Sequence, residues 1–120
     1  SGSPVTTYNA AGTAYSCAVD PTTQNVAVVV FCLSGCGDSI AVYRQNFQGP
    51  PRTFHDSKLR SMLYCGYDAA GNLYVDGYDK DNKFMISELP AGTQRFTNIP
   101  FSDNIAAAGQ IQWDGTYMTV

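Results

Sequence analysis

The chain has 120 residues, seven Lys and Arg against ten Asp and Glu for a formal net charge of −3, and an aromatic share of 12%. That aromatic content excludes a disordered chain, and the length excludes two independent cores. No Lys/Arg cluster offers a footprint for nucleic-acid phosphates or an anionic membrane, and the longest apolar run, eight residues over 26–33, falls far short of the roughly 20 needed to cross a bilayer as a helix.

In chain order, Ser1-Gly2-Ser3 reads as a scar of tag removal, and 5–8 predicts a strand ending at Tyr8. Ala18-Val19-Asp20 closes a strand, a polar turn runs to Asn25, and an apolar strand follows over 26–31. A loop with Cys32 and Cys36 leads to a third strand over 40–43 and a fourth that carries Phe54. The pattern returns with Gly66-Tyr67-Asp68, a turn to Asn72, strands over 73–75 and 84–88, and a last strand carrying Phe96. It begins a third time with Gln112-Trp113-Asp114, a turn to Thr116 and a strand over 117–120. No window shows the 3, 4, 7 spacing of an amphipathic helix, so the chain reads as almost all β.

The three aspartates are 48 and 46 residues apart, and the aromatic landmarks Tyr8, Phe54 and Phe96 are 46 and 42 apart. Four antiparallel strands in about 46 residues make the unit of a β-propeller blade. The expected divisions are 1–14, the scar and the outer strand of a preceding blade; 15–58 and 59–100, one blade each; and 101–120, the first two strands of a further blade. Each Asp has a local reason to stand at its turn, since its carboxylate can accept the amide two residues on and close an Asx turn.

The segments "CAVDPTTQNVAVVVF" and "YCGYDAAGNLYVDGY", followed by "IAVY" or "FMISELP" and then "RTF" or "QRF", resemble the blades of bacterial extracellular propellers of the NHL, SMP-30-like and streptogramin-lyase-like group. The resemblance runs from Val5 to Val120 and implies the fold, not an activity, because this repeat hosts hydrolases, lyases, lectin-like binders and scaffolds. About two and a half blades form an incomplete ring, which leaves apolar faces and a strand edge to be covered. Identical chains assembling head to tail would cover them, two copies giving five or six blades and three about eight. The last blade has no third strand, so 5–8 of a neighbour does not simply complete it, and an excised fragment or a swapped arrangement stays open.

Cys32 and Cys36 flank a short Gly-containing loop that suits a disulfide. Cys17 and Cys65 occupy the same repeat position, where the third copy has Ile111, which points to a small buried apolar slot, with a disulfide between the two as the alternative. The Cys spacing does not match a zinc knuckle. His55, the single histidine, has no nucleophile motif beside it and reads as a solvated loop residue. The loop 76–82 holds Asp76, Asp79 and Asp81 but lacks the ligand order of a calcium loop, so it reads as a polar hairpin. Tyr15, Tyr64, Tyr78 and Tyr117 sit near strand ends, where aromatic faces suit packing between blades or stacking on a sugar.

The expected function is a non-catalytic scaffold or interaction module that self-associates to complete a propeller, with no cofactor, no metal and no catalytic residue. The alternatives are a carbohydrate or small-ligand binder and a lactonase- or lyase-like hydrolase. Four cysteines in a Gly-, Ser- and Tyr-rich chain with few Lys favour secretion.

Overall fold

The computed structural model describes residues 12–45 and 49–120; the expected strand 5–8 and its landmark Tyr8 lie outside them. The described residues contain no helix and form three antiparallel sheets of four, four and two strands. The first sheet has the order β1 (Thr13–Val19), β2 (Val26–Phe31), β3 (Ser39–Tyr43), β4 (Arg52–Phe54). The second repeats that order with β5 (Ser61–Tyr67), β6 (Leu73–Tyr78), β7 (Phe84–Leu89), β8 (Thr97–Ile99). The third pairs β9 (Gln112–Trp113) with β10 (Met118–Thr119).

Register makes the first two sheets directly comparable. Across the first, Cys17 faces Val28, Val28 faces Ala41 and Ala41 faces Thr53. Across the second, Cys65 faces Val75, Val75 faces Ser87 and Ser87 faces Asn98. The offset between equivalents falls from 48 (Cys17 to Cys65) through 47 (Val28 to Val75) and 46 (Ala41 to Ser87) to 45 (Thr53 to Asn98). Each connection in the second sheet is therefore one residue shorter than its counterpart. Both first strands also break register at the same place, between Ala14 and Ser16 and between Met62 and Cys65, the mark of a β-bulge.

This register corrects one landmark. Phe54 lies opposite Ile40, and its equivalent in the second sheet is Ile99, opposite Ile86. Phe96 precedes β8 instead of sitting in it, and packs at the margin of the core. The second strand of this sheet also runs past 73–75 to Tyr78, because Asp76 turns into a buried polar site instead of opening a loop.

Strand alternation decides which side chains meet. One face of the first sheet carries Ala18, Ala27, Val29, Ile40, Val42 and Phe54; the facing side of the second carries Met62, Cys65, Tyr67, Leu73, Val75 and Leu89, and together with Leu59 they form the main core. Val29, Ile40, Met62 and Val75 are fully buried there, each such side chain contributing on the order of 1.5–3 kcal/mol. The sheets approach through their first strands, β1 against β5 and then β5 against β9. At the second seam an added Cβ on Gly66 would lie 2.7 Å from the Ile111 carbonyl oxygen, so the absence of a side chain lets the strands close in.

Candidate functional site

The three turn aspartates accept hydrogen bonds from their own turns. Asp20 Oδ1 accepts the Thr22 amide and hydroxyl, both at 2.8 Å, while Oδ2 accepts the Thr23 hydroxyl at 2.6 Å. Asp68 Oδ1 accepts the Ala70 and Asn72 amides at 2.9 Å, and Oδ2 accepts the Asn72 side chain at 2.8 Å. Asp114 Oδ1 accepts the Thr116 and Tyr117 amides at 2.7 Å. Burial pushes the Asp20 and Asp68 carboxyls up, but these hydrogen bonds outweigh it and hold both below the ordinary value. Asp114 is lowered by its bonds from Tyr117 and Thr116. Carboxylates engaged in this way stiffen their hairpins.

The carboxylates of the β6–β7 hairpin go three separate ways. Asp79 makes a further turn of the same kind, accepting the amides of Asp81 at 2.8 Å and Lys83 at 2.9 Å, with Asn82 in the left-handed region at φ 57°. Asp81 pairs with Lys80 at 3.1 Å on the surface. Asp76 points inward, is fully buried, and accepts the Tyr64 amide at 2.9 Å and the Gly109 amide at 3.1 Å. Its first bond satisfies an amide in the β5 bulge, and its second fastens the segment before β9 to the second sheet. Burial raises its pKa to about 6, against the lowering effect of the two amides. Sequence reasoning assigned Asp76 to a loop; its equivalent in the first sheet is Val29, opposite Ser16.

Two more aspartates tie the first pair of sheets together. Asp38 accepts the amides of Cys32 and, across the seam, Met62, both at 3.1 Å. Asp56, in the connection between sheets, accepts the Ser87 hydroxyl at 2.5 Å and the Asn98 side-chain amide at 3.1 Å, while its other oxygen takes the Lys58 amide at 2.9 Å. His55 is exposed, its Nδ1 3.3 Å from the Asp38 carbonyl oxygen, and none of the contacts at this connection brings it to a serine, threonine or cysteine nucleophile.

Cys32 and Cys36 are joined by a disulfide across a Cα separation of 5.6 Å, and it closes the loop between β2 and β3. Cys17 and Cys65 are free. Cys65 fills a fully buried position, and burial pushes its thiol up to about 12. Cys17, expected in the same kind of slot, is exposed. Alternation along β1 explains both results: Ser16 faces the second sheet, with its hydroxyl 3.8 Å from the Cys65 sulfur, and Cys17 faces the opposite way. In this structure the two sulfurs are not joined.

The tyrosines divide between packing and exposure. Tyr15 and Tyr64 meet edge to face at 5.5 Å where the bulged first strands adjoin, and Tyr78 packs on Phe84 at 6.3 Å while its hydroxyl accepts the Ala108 amide. Tyr117 is 71% exposed, and Val19, Trp113 and Val120 are exposed by 55%, 37% and 46%. Exposed apolar side chains thus occur along β1 and on and beside the β9–β10 hairpin, and also at Leu33 in the loop between β2 and β3 and at Phe101 after β8. No protein-family model matches the chain, and no curated protein matches it.

Proposed function

We propose that the two four-stranded sheets are copies of one propeller blade, that the two-stranded sheet begins another, and that the chain is a non-catalytic interaction module which self-associates to complete the ring. The observation that carries this is the equivalence of the two faces to which Cys17 and Cys65 belong. In the second sheet that face, with Cys65, Tyr67, Leu73 and Val75, is covered by the first sheet. In the first sheet the equivalent residues are Cys17, Val19, Val26 and Val28; on that face Val30, Ala41 and Tyr43 are buried with Val28 packed against them, while the β1 margin, Cys17 and Val19, stays exposed. A face of that composition gains from a neighbour as its equivalent does. A second copy is the occupant, since head-to-tail contacts closing on themselves satisfy both ends at once. The closing seam would be wider than the seam at Gly66, because Gln112 stands where Ala18 and Gly66 stand. The disulfide is compatible with secretion.

Light scattering coupled to size exclusion tests this. A mass two or three times the 13.0 kDa of one chain is expected at micromolar concentration, and a well-folded monomer there overturns the ring.

A further inference from the structure

We propose that the cleft between the sheet-to-sheet connection and the β6–β7 hairpin binds a small organic carboxylate with an apolar body. The cleft has a volume of about 580 Å³ and is lined by Ser57, Lys58, Arg60, Asp79, Lys80 and Met85. Three of the seven Lys and Arg of an acidic chain therefore converge on one concavity. That concentration opposes the protein's overall charge and selects an anion.

Of these three cations, Lys80 has a carboxylate partner of its own. Among the described residues the ion pair is Lys80 with Asp81, which leaves Lys58 and Arg60 without a carboxylate within bridging distance. Asp79 contributes negative charge to the rim, but its Oδ1 already accepts two backbone amides. Lys58 and Arg60 supply the positive charge of the opposite side.

Both walls are held in place. Leu59 is 4% exposed and inserts into the main core, so Lys58 and Arg60 flank an anchored residue. The Arg60 amide donates to the Tyr78 carbonyl at 2.9 Å, and Asp56 clamps the same segment through Ser87 and Asn98. The opposite wall is the turn closed by Asp79. Little backbone ordering is left to oppose binding, which is what preorganisation supplies. Met85, packed against the core from the same face as Ser87 and Leu89, gives the cleft an apolar and adaptable side. Inorganic anions make no use of such a surface; a carboxylate attached to a ring or alkyl body uses both halves. Arg60 can grip a carboxylate through two parallel N–H bonds and Lys58 can add a point charge. The inference stands independently of ring closure.

The test titrates protein carrying a labelled Met85 methyl group with benzoate, its neutral analogue benzamide, and inorganic phosphate, and repeats the titrations on Lys58→Gln, Arg60→Gln and the double variant. Benzoate is expected to shift the Met85 methyl saturably, benzamide to leave it in place, and phosphate to bind more weakly than benzoate. Each single variant should weaken benzoate about fivefold, the value of a charge contact discounted for its exposure. Unchanged backbone spectra of the variants establish that the fold is intact. Equal shifts with benzamide, phosphate binding as tightly as benzoate, a double variant that titrates like the parent, or no saturation would each overturn the proposal.

Discussion

Replacing Asp76 by Val converts the second sheet to the composition of the first at that position, since Val29 is its equivalent, and the consequence depends on pH. The Asp76 carboxyl has a pKa of about 6 in the folded chain against an ordinary 3.8, chiefly because burial penalises its charge. Below the unfolded value both states are protonated and no penalty exists; as pH rises through the folded value the native state loses its proton less readily and stability falls. A difference of about two units corresponds to about 3 kcal/mol lost between roughly pH 4 and pH 7. Asp20, Asp68, Asp79 and Asp114 are all held below the ordinary value, so their contribution disappears only as pH falls below about 4 and does not overlap this window. Asp76→Val removes the slope but leaves the Tyr64 and Gly109 amides without an acceptor, at about 1–3 kcal/mol each. The variant should be clearly less stable than the parent near pH 4 and closer to it by about 3 kcal/mol near pH 7. Urea unfolding midpoints measured across this range give the answer. A parent whose stability is flat from about pH 4 to 7, or a variant that keeps the parent's slope, would refute the assignment.

Gly66→Ala places a methyl group against the Ile111 carbonyl and should cost about 1–3 kcal/mol by overpacking, with hydrogen exchange of β9 and β10 accelerating before that of β6. Asp68→Ala should cost about 1–2 kcal/mol in thermal unfolding, because a buried carboxylate accepting two amides and the Asn72 side chain is lost; Asp114→Ala, at an exposed turn, should cost less. Reducing the Cys32–Cys36 bond, which spans four positions, should lower stability by about 2 kcal/mol or less, because so short a loop restricts the unfolded chain little. In dilute native protein an alkylating reagent should modify Cys17 and spare Cys65 until the chain unfolds, as mass spectrometry of the labelled peptides would reveal.

How much of this was legible in the sequence depends on the range of the interaction involved. The turns at Asp20, Asp68 and Asp114 are set by atoms two to four residues apart, so residue type and spacing are enough to identify them. Strand register is not local. The offset between equivalents shrinks by one at each connection, from 48 to 45, so residue type alone pairs Phe96 with Phe54, whereas Ile99 occupies the equivalent place. Asp76 resembles a loop residue beside Asp79 and Asp81 until the Gly109 segment folds over it from 33 residues away. Cys17 and Cys65 share a repeat position, and only the presence of a neighbouring sheet on one of them separates buried from exposed. Lys80 is 20 residues beyond Arg60, and its convergence with Lys58 and Arg60 follows from where the connection between sheets passes the β6–β7 hairpin.

The most direct measurement of the central claim, that the Cys17 face is built to be covered by another copy, is the alkylation rate of Cys17 as a function of protein concentration. The rate should slow as concentration rises into the micromolar range and recover on dilution and in a Val19→Lys variant that puts a charge on the same face. A rate for Cys17 that stays fast and unchanged at every concentration would contradict it.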